Sequence, residues 1–141
     1  MKQEKCPYCE QKEYLAKFGY LAFETSTSLV IVFKDQSHKG RMIVAYKKDH
    51  VAEIKDLSVE ERNAFMKDVC DVANAIQKAY SPDRINYGAY GDTLGHLHIH
   101  LVPKYKDGFE WNGTFQMNTG NLVSEDECKK IAQIIKDNYK A

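Results

Sequence analysis

The chain is predicted to belong to the α+β class, with sheet strands and two amphipathic helices sharing one core. Three observations predict this. Residues 96 to 102 read His96-Leu97-His98-Ile99-His100-Leu101-Val102, and this alternation of imidazole with aliphatic side chains has the period of a strand. Two β-branched runs, Ser28 to Phe33 and Arg41 to Tyr46, flank a polar stretch and read as an antiparallel hairpin with a long loop. One long helical pattern lies between that hairpin and the histidine strand, and a second closes the chain.

Composition bounds what such a chain can be. With 141 residues, 43% hydrophobic and 28% charged, residues 1–141 are expected to form a single domain around one core. Twenty basic residues balance twenty acidic ones, which argues against a binder of nucleic-acid polymers working through phosphate neutralisation. No apolar run follows Met1 to Lys5 and none approaches the length of a membrane span, so a cytoplasmic protein with no membrane partner is expected. Four cysteines in a reducing compartment read as thiols or metal ligands rather than bridges.

Cys6-Pro7-Tyr8-Cys9, within residues 1–10, is the first informative segment. Two thiolates of such a turn can reach one ion at about 2.3 Å, but a closed tetrahedral site needs two further ligands. No second Cys-x-x-Cys exists, so the candidates are His38, His50 and His96; the alternative is a metal-free turn. Phe18 to Phe23 reads as a short strand, and the hairpin then places Phe33 and Asp35 at the end of its first strand. Asp35 could serve simply as a turn aspartate bonding local backbone. His50 leaves the second hairpin strand in a loop, whereas His38 reads as a surface residue.

Ser58-Val59-Glu60-Glu61 is a capping box, and Phe65, Val69, Val72, Ile76 and Ala79 recur at helical spacing until Ser81-Pro82 stops the run. Cys70 beside that stripe is expected to be buried and inert. Arg84 to Gly91 reads as a strand partnered with the histidine strand. Gly91, Thr93 and Gly95 form a loop in which small residues let backbone amides approach an anion. Residues 105–123 are too long and too aromatic for an ordinary connector, and Phe109, Trp111 and Phe115 suit either a flap over a base or an arm on a partner chain. Ser124-Glu125-Asp126-Glu127 opens a C-terminal helix over 124–139, with Ile131, Ile134 and Ile135 on one face and Cys128 structural.

The histidine strand carries the chemistry. Its three imidazoles share one face, and Pro103 is expected to end the pairing because it has no N–H. Imidazole titrates near neutrality, so one ring can attack, another can donate a proton and a third can bind metal. Alternate residues of a strand lie about 6.6 Å apart, so three rings in line converge poorly on one ion. Nucleophilic chemistry is therefore predicted over a three-histidine metal site.

His96-Leu97-His98-Ile99-His100-Leu101-Val102 resembles the His-φ-His-φ-His-φ-φ signature of the histidine triad (HIT) superfamily of nucleotide hydrolases and transferases. The chain is similar to bacterial zinc-binding HIT proteins from Cys6 to the loop after Tyr105. The resemblance implies an antiparallel sheet of about five strands with one long central helix and a C-terminal helix, commonly in a homodimer. It further implies structural zinc on Cys6, Cys9, His50 and His96, with His98 as nucleophile toward the α-phosphate of a purine nucleotide. His100 would bond the phosphate and help protonate the leaving group. Asp35 after Phe33 would accept ribose hydroxyls, with Phe33, Asn86 and Thr93 at the substrate. Many relatives have Gln where this chain has Asp92, and a carboxylate there repels phosphate unless turned away. Hydrolysis of dinucleoside polyphosphates or nucleoside phosphoramidates, transfer to phosphate, and nucleotide binding with little turnover all fit the signature.

Overall fold

The computed structural model describes residues 2 to 140. Among them a short helix, α1 (Lys12–Ala16), precedes β1 (Gly19–Glu24), β2 (Ser28–Phe33) and β3 (Met42–Tyr46). The long helix α2 (Val59–Tyr80) then leads to β4 (Arg84–Gly88), β5 (His98–Lys104) and α3 (Glu125–Asn138). The five strands make one antiparallel sheet in the order β1-β2-β3-β5-β4, in agreement with the expected α+β architecture.

Both faces of the sheet are covered, which is why β2 and β3 read as continuous apolar runs rather than alternating ones. Val30, Val32, Val44, Ile99 and Leu101 face the helices and pack with Phe65, Val69, Ile76, Ile131 and Ile135. Leu29, Ile31, Phe33, Ile43 and Ala45 point the other way, where Cys6, Tyr8 and Leu15 from the N-terminal segment cover them.

The capping box of α2 forms as expected. Ser58 Oγ accepts from Glu61 N–H at 3.1 Å, and the Glu61 carboxylate accepts from Ser58 N–H at 2.9 Å. Ser81, at φ 51°, ends the helix in the left-handed region. Cys70, however, is exposed, because it lies one position off the buried stripe of Val69, Val72, Ala73 and Ile76. Ile134 departs similarly: α3 buries Cys128, Ile131, Ala132 and Ile135, leaving Ile134 40% exposed beside them.

The histidine strand differs from expectation at both ends. Pairing runs through Pro103, opposite Ile85. Pairing with β3 stops at Leu101, so the missing N–H of Pro103 faces no ladder partner. At the other end His96 lies before the strand, in a stretch where Leu97 N–H donates to Val51 O and Leu97 O accepts from Tyr46 N–H.

The long loop packs back on its own chain. Lys104 Nζ, 2% exposed, donates to Glu110 O at 2.6 Å and Gly113 O at 2.7 Å. His38, expected at the surface, is instead buried, with Nε2 donating to the Glu110 carboxylate at 2.7 Å and Phe109 against its ring.

Candidate active site and metal centre

The N-terminal turn, the loop after β3 and the stretch before β5 converge on four donors: Cys6 Sγ, Cys9 Sγ, His50 Nδ1 and His96 Nδ1, all within 4.8 Å of one another. His96 Nδ1 lies 3.4 Å from Cys6 Sγ, 3.5 Å from Cys9 Sγ and 3.0 Å from His50 Nδ1, and Cys9 Sγ lies 3.3 Å from His50 Nδ1. Tetrahedral coordination at ordinary bond lengths requires sulfur–nitrogen separations of about 3.6 Å and nitrogen–nitrogen separations of about 3.3 Å. The donor set therefore suits a metal ion with little movement. Orientation is fixed from behind: His96 Nε2–H donates to Tyr46 O at 2.6 Å, which leaves the Nδ1 lone pair for a ligand. Burial lowers the His96 imidazole to about 4, so the ring stays neutral at neutral pH, as a ligand must be.

One residue joins this cluster to the rest of the triad. The carbonyl of His96 accepts from His98 Nδ1–H at 2.6 Å, so the free lone pair of His98 sits on Nε2. Tyr8, between the two cysteines, packs its ring 4.9 Å from that of His98 and 5.3 Å from that of His96. His100 has the opposite tautomer. Arg41 Nη2 donates to its Nδ1 at 3.1 Å, and an arginine cannot accept, so the His100 proton resides on Nε2. Burial, then the Arg41 charge, depress His100 to about 3, while burial also lowers His98. The pair thus offers, at neutral pH, an uncharged Nε2 lone pair beside an Nε2–H donor.

His98 and His100 line a cavity of about 460 Å³ together with Tyr8, Phe18, Phe33, Tyr90, Asp92, Thr93, Leu94, Met117 and Asn118. Phe33 and Thr93 are thereby brought to the histidines, and Asp92 stands at the same cavity. Asn86 is not among these residues. It shares the histidine face but pairs with Val102, one step beyond His100, and lines a separate cavity with Arg84, Lys104 and Trp111.

Asp35 also stands apart. It is 1% exposed and its carboxylate accepts from Thr119 N–H and Oγ1 and from Ser37 N–H, tying the end of the long loop to β2. Despite burial, these hydrogen bonds bring the carboxyl down to about 2. A depressed folded-state value gives stability that is present above the ordinary carboxylate range and lost as pH falls through about 2. Asp35→Asn is expected to lower unfolding free energy at pH 7 by about 2 kcal/mol. Urea unfolding should show that difference shrinking between about pH 4 and pH 2.

Sequence reasoning missed Phe18, Tyr90, Leu94, Met117 and Asn118 of the cavity wall and the two residues that touch the histidines most closely, Tyr8 and Arg41. Tyr8 could have been suspected only from its place between the cysteines. Arg41 reads as an ordinary strand entrance, and nothing local marks it as the partner of His100.

Comparison with known proteins agrees with this geometry. A family model described as the HIT domain matches residues 20–107, more than half of the chain. A bis(5'-nucleosyl)-tetraphosphatase (asymmetrical) of Schizosaccharomyces pombe is 28% identical over 123 residues, covering 79% of this chain and 67% of the relative. Among solved structures, a histidine triad protein of Sinorhizobium meliloti superposes with a TM-score of 0.82 at 20% identity, covering 90% of this chain and 94% of that one. A zinc-bound histidine triad family protein of Mycobacterium smegmatis superposes with a TM-score of 0.61 at 15% identity, over 84% of this chain and 81% of that one. A triad formed by β5 and the residue just before it, and a family match that spans it, lead to one conclusion: the chain belongs to the HIT domain family.

Proposed function

We propose that the protein is a nucleotide hydrolase that cleaves dinucleoside polyphosphates or nucleoside phosphoramidates at the α-phosphate through a nucleotidyl-histidine intermediate. The observation that carries this reading is the pair of opposite tautomers on β5, where His98 keeps an Nε2 lone pair and His100 an Nε2–H beside the same cavity. His98 Nε2 attacks the α-phosphorus in line, and the leaving group departs with the electron pair of the broken bond. Water then attacks phosphorus, the N–P bond breaks, its electron pair returns to His98, and the proton of the water passes to the released phosphate or to solvent. His100, neutral at neutral pH, donates a hydrogen bond to a phosphoryl or leaving oxygen and is a poor source of a whole proton.

The cavity lining supports a purine nucleotide. Tyr8, Phe18, Phe33, Leu94 and Met117 offer apolar surface for a base, and Thr93 offers a hydroxyl for phosphate. Asp35 would act indirectly, by holding residues 117 to 119 near the cavity. Asn86 would meet only a substrate group that extends along the sheet beyond His100.

Cys6, Cys9, His50 and His96 would hold a zinc ion, consistent with the zinc-bound relative. With four protein ligands and no open position, zinc there supplies a structural cross-link. Unpaired thiols suit the expected cytoplasm. The reading includes a homodimer, for which the edge strand β4, with Tyr87 57% exposed, leaves room.

Product analysis tests the reading. Wild type incubated with diadenosine tetraphosphate is expected to release AMP with or without excess phosphate. ADP formed only with phosphate would make the protein a nucleotidyltransferase, and tight binding without turnover would make it a regulatory binding module.

A further inference from the structure

Arg41 is 1% exposed, and among the described residues no carboxylate lies within ion-pair distance of its guanidinium. The group is held otherwise. It lies between the rings of Phe33, 4.2 Å from its carbon, and Phe115, at 5.0 Å. Nη1 donates to Gln116 O at 2.9 Å, Nη2 to His100 Nδ1 at 3.1 Å, and Nε is buried without a partner. Burial lowers its pKa only to about 10, so the side chain remains charged at neutral pH. The charges of Asp35 and Glu110 favour the charged form without touching it, Nη2 also points to Met117 Sδ at 3.7 Å, and burial still makes the charge costly to keep.

The consequence falls on His100. A second proton on Nδ1 would set N–H against N–H beside a fixed positive charge. The aromatic rings against His100 are those of Phe33, Tyr90, Phe115 and His98, and no carboxylate raises its pKa, Asp92 of the same cavity included. We infer that Arg41 is a positioning residue that selects the leaving group: by donating to Nδ1 it commits His100 to hydrogen bonding through Nε2–H, and so commits the site to leaving groups that depart as anions. The inference rests on the nucleotidyl-histidine reading above.

The electron count shows why this discriminates between substrates. When His98 Nε2 bonds to an α-phosphorus of a phosphoanhydride, the P–O bond breaks and the electron pair goes to a polyphosphate oxygen, which is stable as an anion. When the same attack displaces an amine, the P–N bond breaks and the electron pair goes to nitrogen, which must take a proton in the same step. A neutral His100 would have to become an imidazolate to give one, whereas a doubly protonated ring could give it readily.

Two measurements test this. In wild-type protein labelled with nitrogen-15 at histidine, imidazole NMR is expected to show His100 protonated on Nε2 and His98 on Nδ1. A proton on Nδ1 of His100 overturns the inference, whether or not any variant folds. Turnover of diadenosine tetraphosphate and of an adenosine phosphoramidate is then compared in wild type and Arg41→Met. Wild type is expected to prefer the anhydride by about 100-fold or more in kcat/KM. Arg41→Met is expected to lose about 100-fold on the anhydride, mainly in kcat, and less than about tenfold on the phosphoramidate. Equal losses on both substrates, or a wild-type preference for the phosphoramidate, overturn the role of Arg41 alone. No turnover of either by wild type overturns the nucleotidyl-histidine reading and this inference with it.

Discussion

His98→Ala is expected to lower turnover by about four orders of magnitude or more, with the fold and the metal content of the wild type retained. The size follows from the chemistry: without the Nε2 lone pair no covalent intermediate forms, and only binding and the hydrogen bond from His100 remain. Retention of the fold follows from the wiring. His98 gives one hydrogen bond to the His96 carbonyl and packs against Tyr8, but contributes no donor to the metal cluster. The rate of nucleotide release in a single turnover with enzyme in excess, compared between wild type and variant, measures the effect. Loss of metal or a collapse of Tm in His98→Ala would contradict the assigned role.

The second large effect belongs to the cluster. Cys6→Ala and His50→Ala are each expected to bring zinc content close to zero, as read by elemental analysis of purified protein. A tightly held ion at a free concentration 1,000 times its Kd stabilises the folded state by about 4 kcal/mol, so Tm should fall to that of chelator-treated wild type. Activity should fall too, although neither side chain lines the catalytic cavity. His96 carries a donor of the cluster on its ring and the acceptor for His98 on its carbonyl, so freeing the ring loosens the hydrogen bond that sets the tautomer of His98. A full zinc complement in both variants would remove the site.

What could be read from the chain was what has a local period or a local cap. The alternation of residues 96 to 102 yields β5, the box at Ser58 and the Ser124 cap, of which only the bond from Glu127 N–H forms, yield two helix starts, and Cys6-Pro7-Tyr8-Cys9 yields half of the four-donor cluster. His50 and His96 joined that half only through the family resemblance, and the geometry brings all four together. Contacts made by polar side chains across long sequence separations stayed hidden. Asp35 meets Thr119, His38 meets Glu110 and Arg41 meets His100, at separations of 84, 72 and 59 residues. None of these pairs disturbs the pattern around either partner. Burial of β5 is likewise non-local: Tyr8 covers His98, Phe115 and Arg41 cover His100, and the long loop holds Lys104, so all seven residues of the strand are buried. Asn86 shows the limit of periodicity, since the pleat assigns it to the correct face while register carries it past the histidines.

In the proposed reaction the α-phosphorus is displaced twice, first by His98 and then by water. Each in-line displacement inverts configuration, so two give net retention. Hydrolysis of a dinucleoside polyphosphate made chiral at the α-phosphorus with sulfur, carried out in oxygen-18 water, reads the outcome from the stereochemistry of the released nucleoside thiophosphate. Net retention is the predicted result, and net inversion would mean that water attacks directly and that no nucleotidyl-histidine forms.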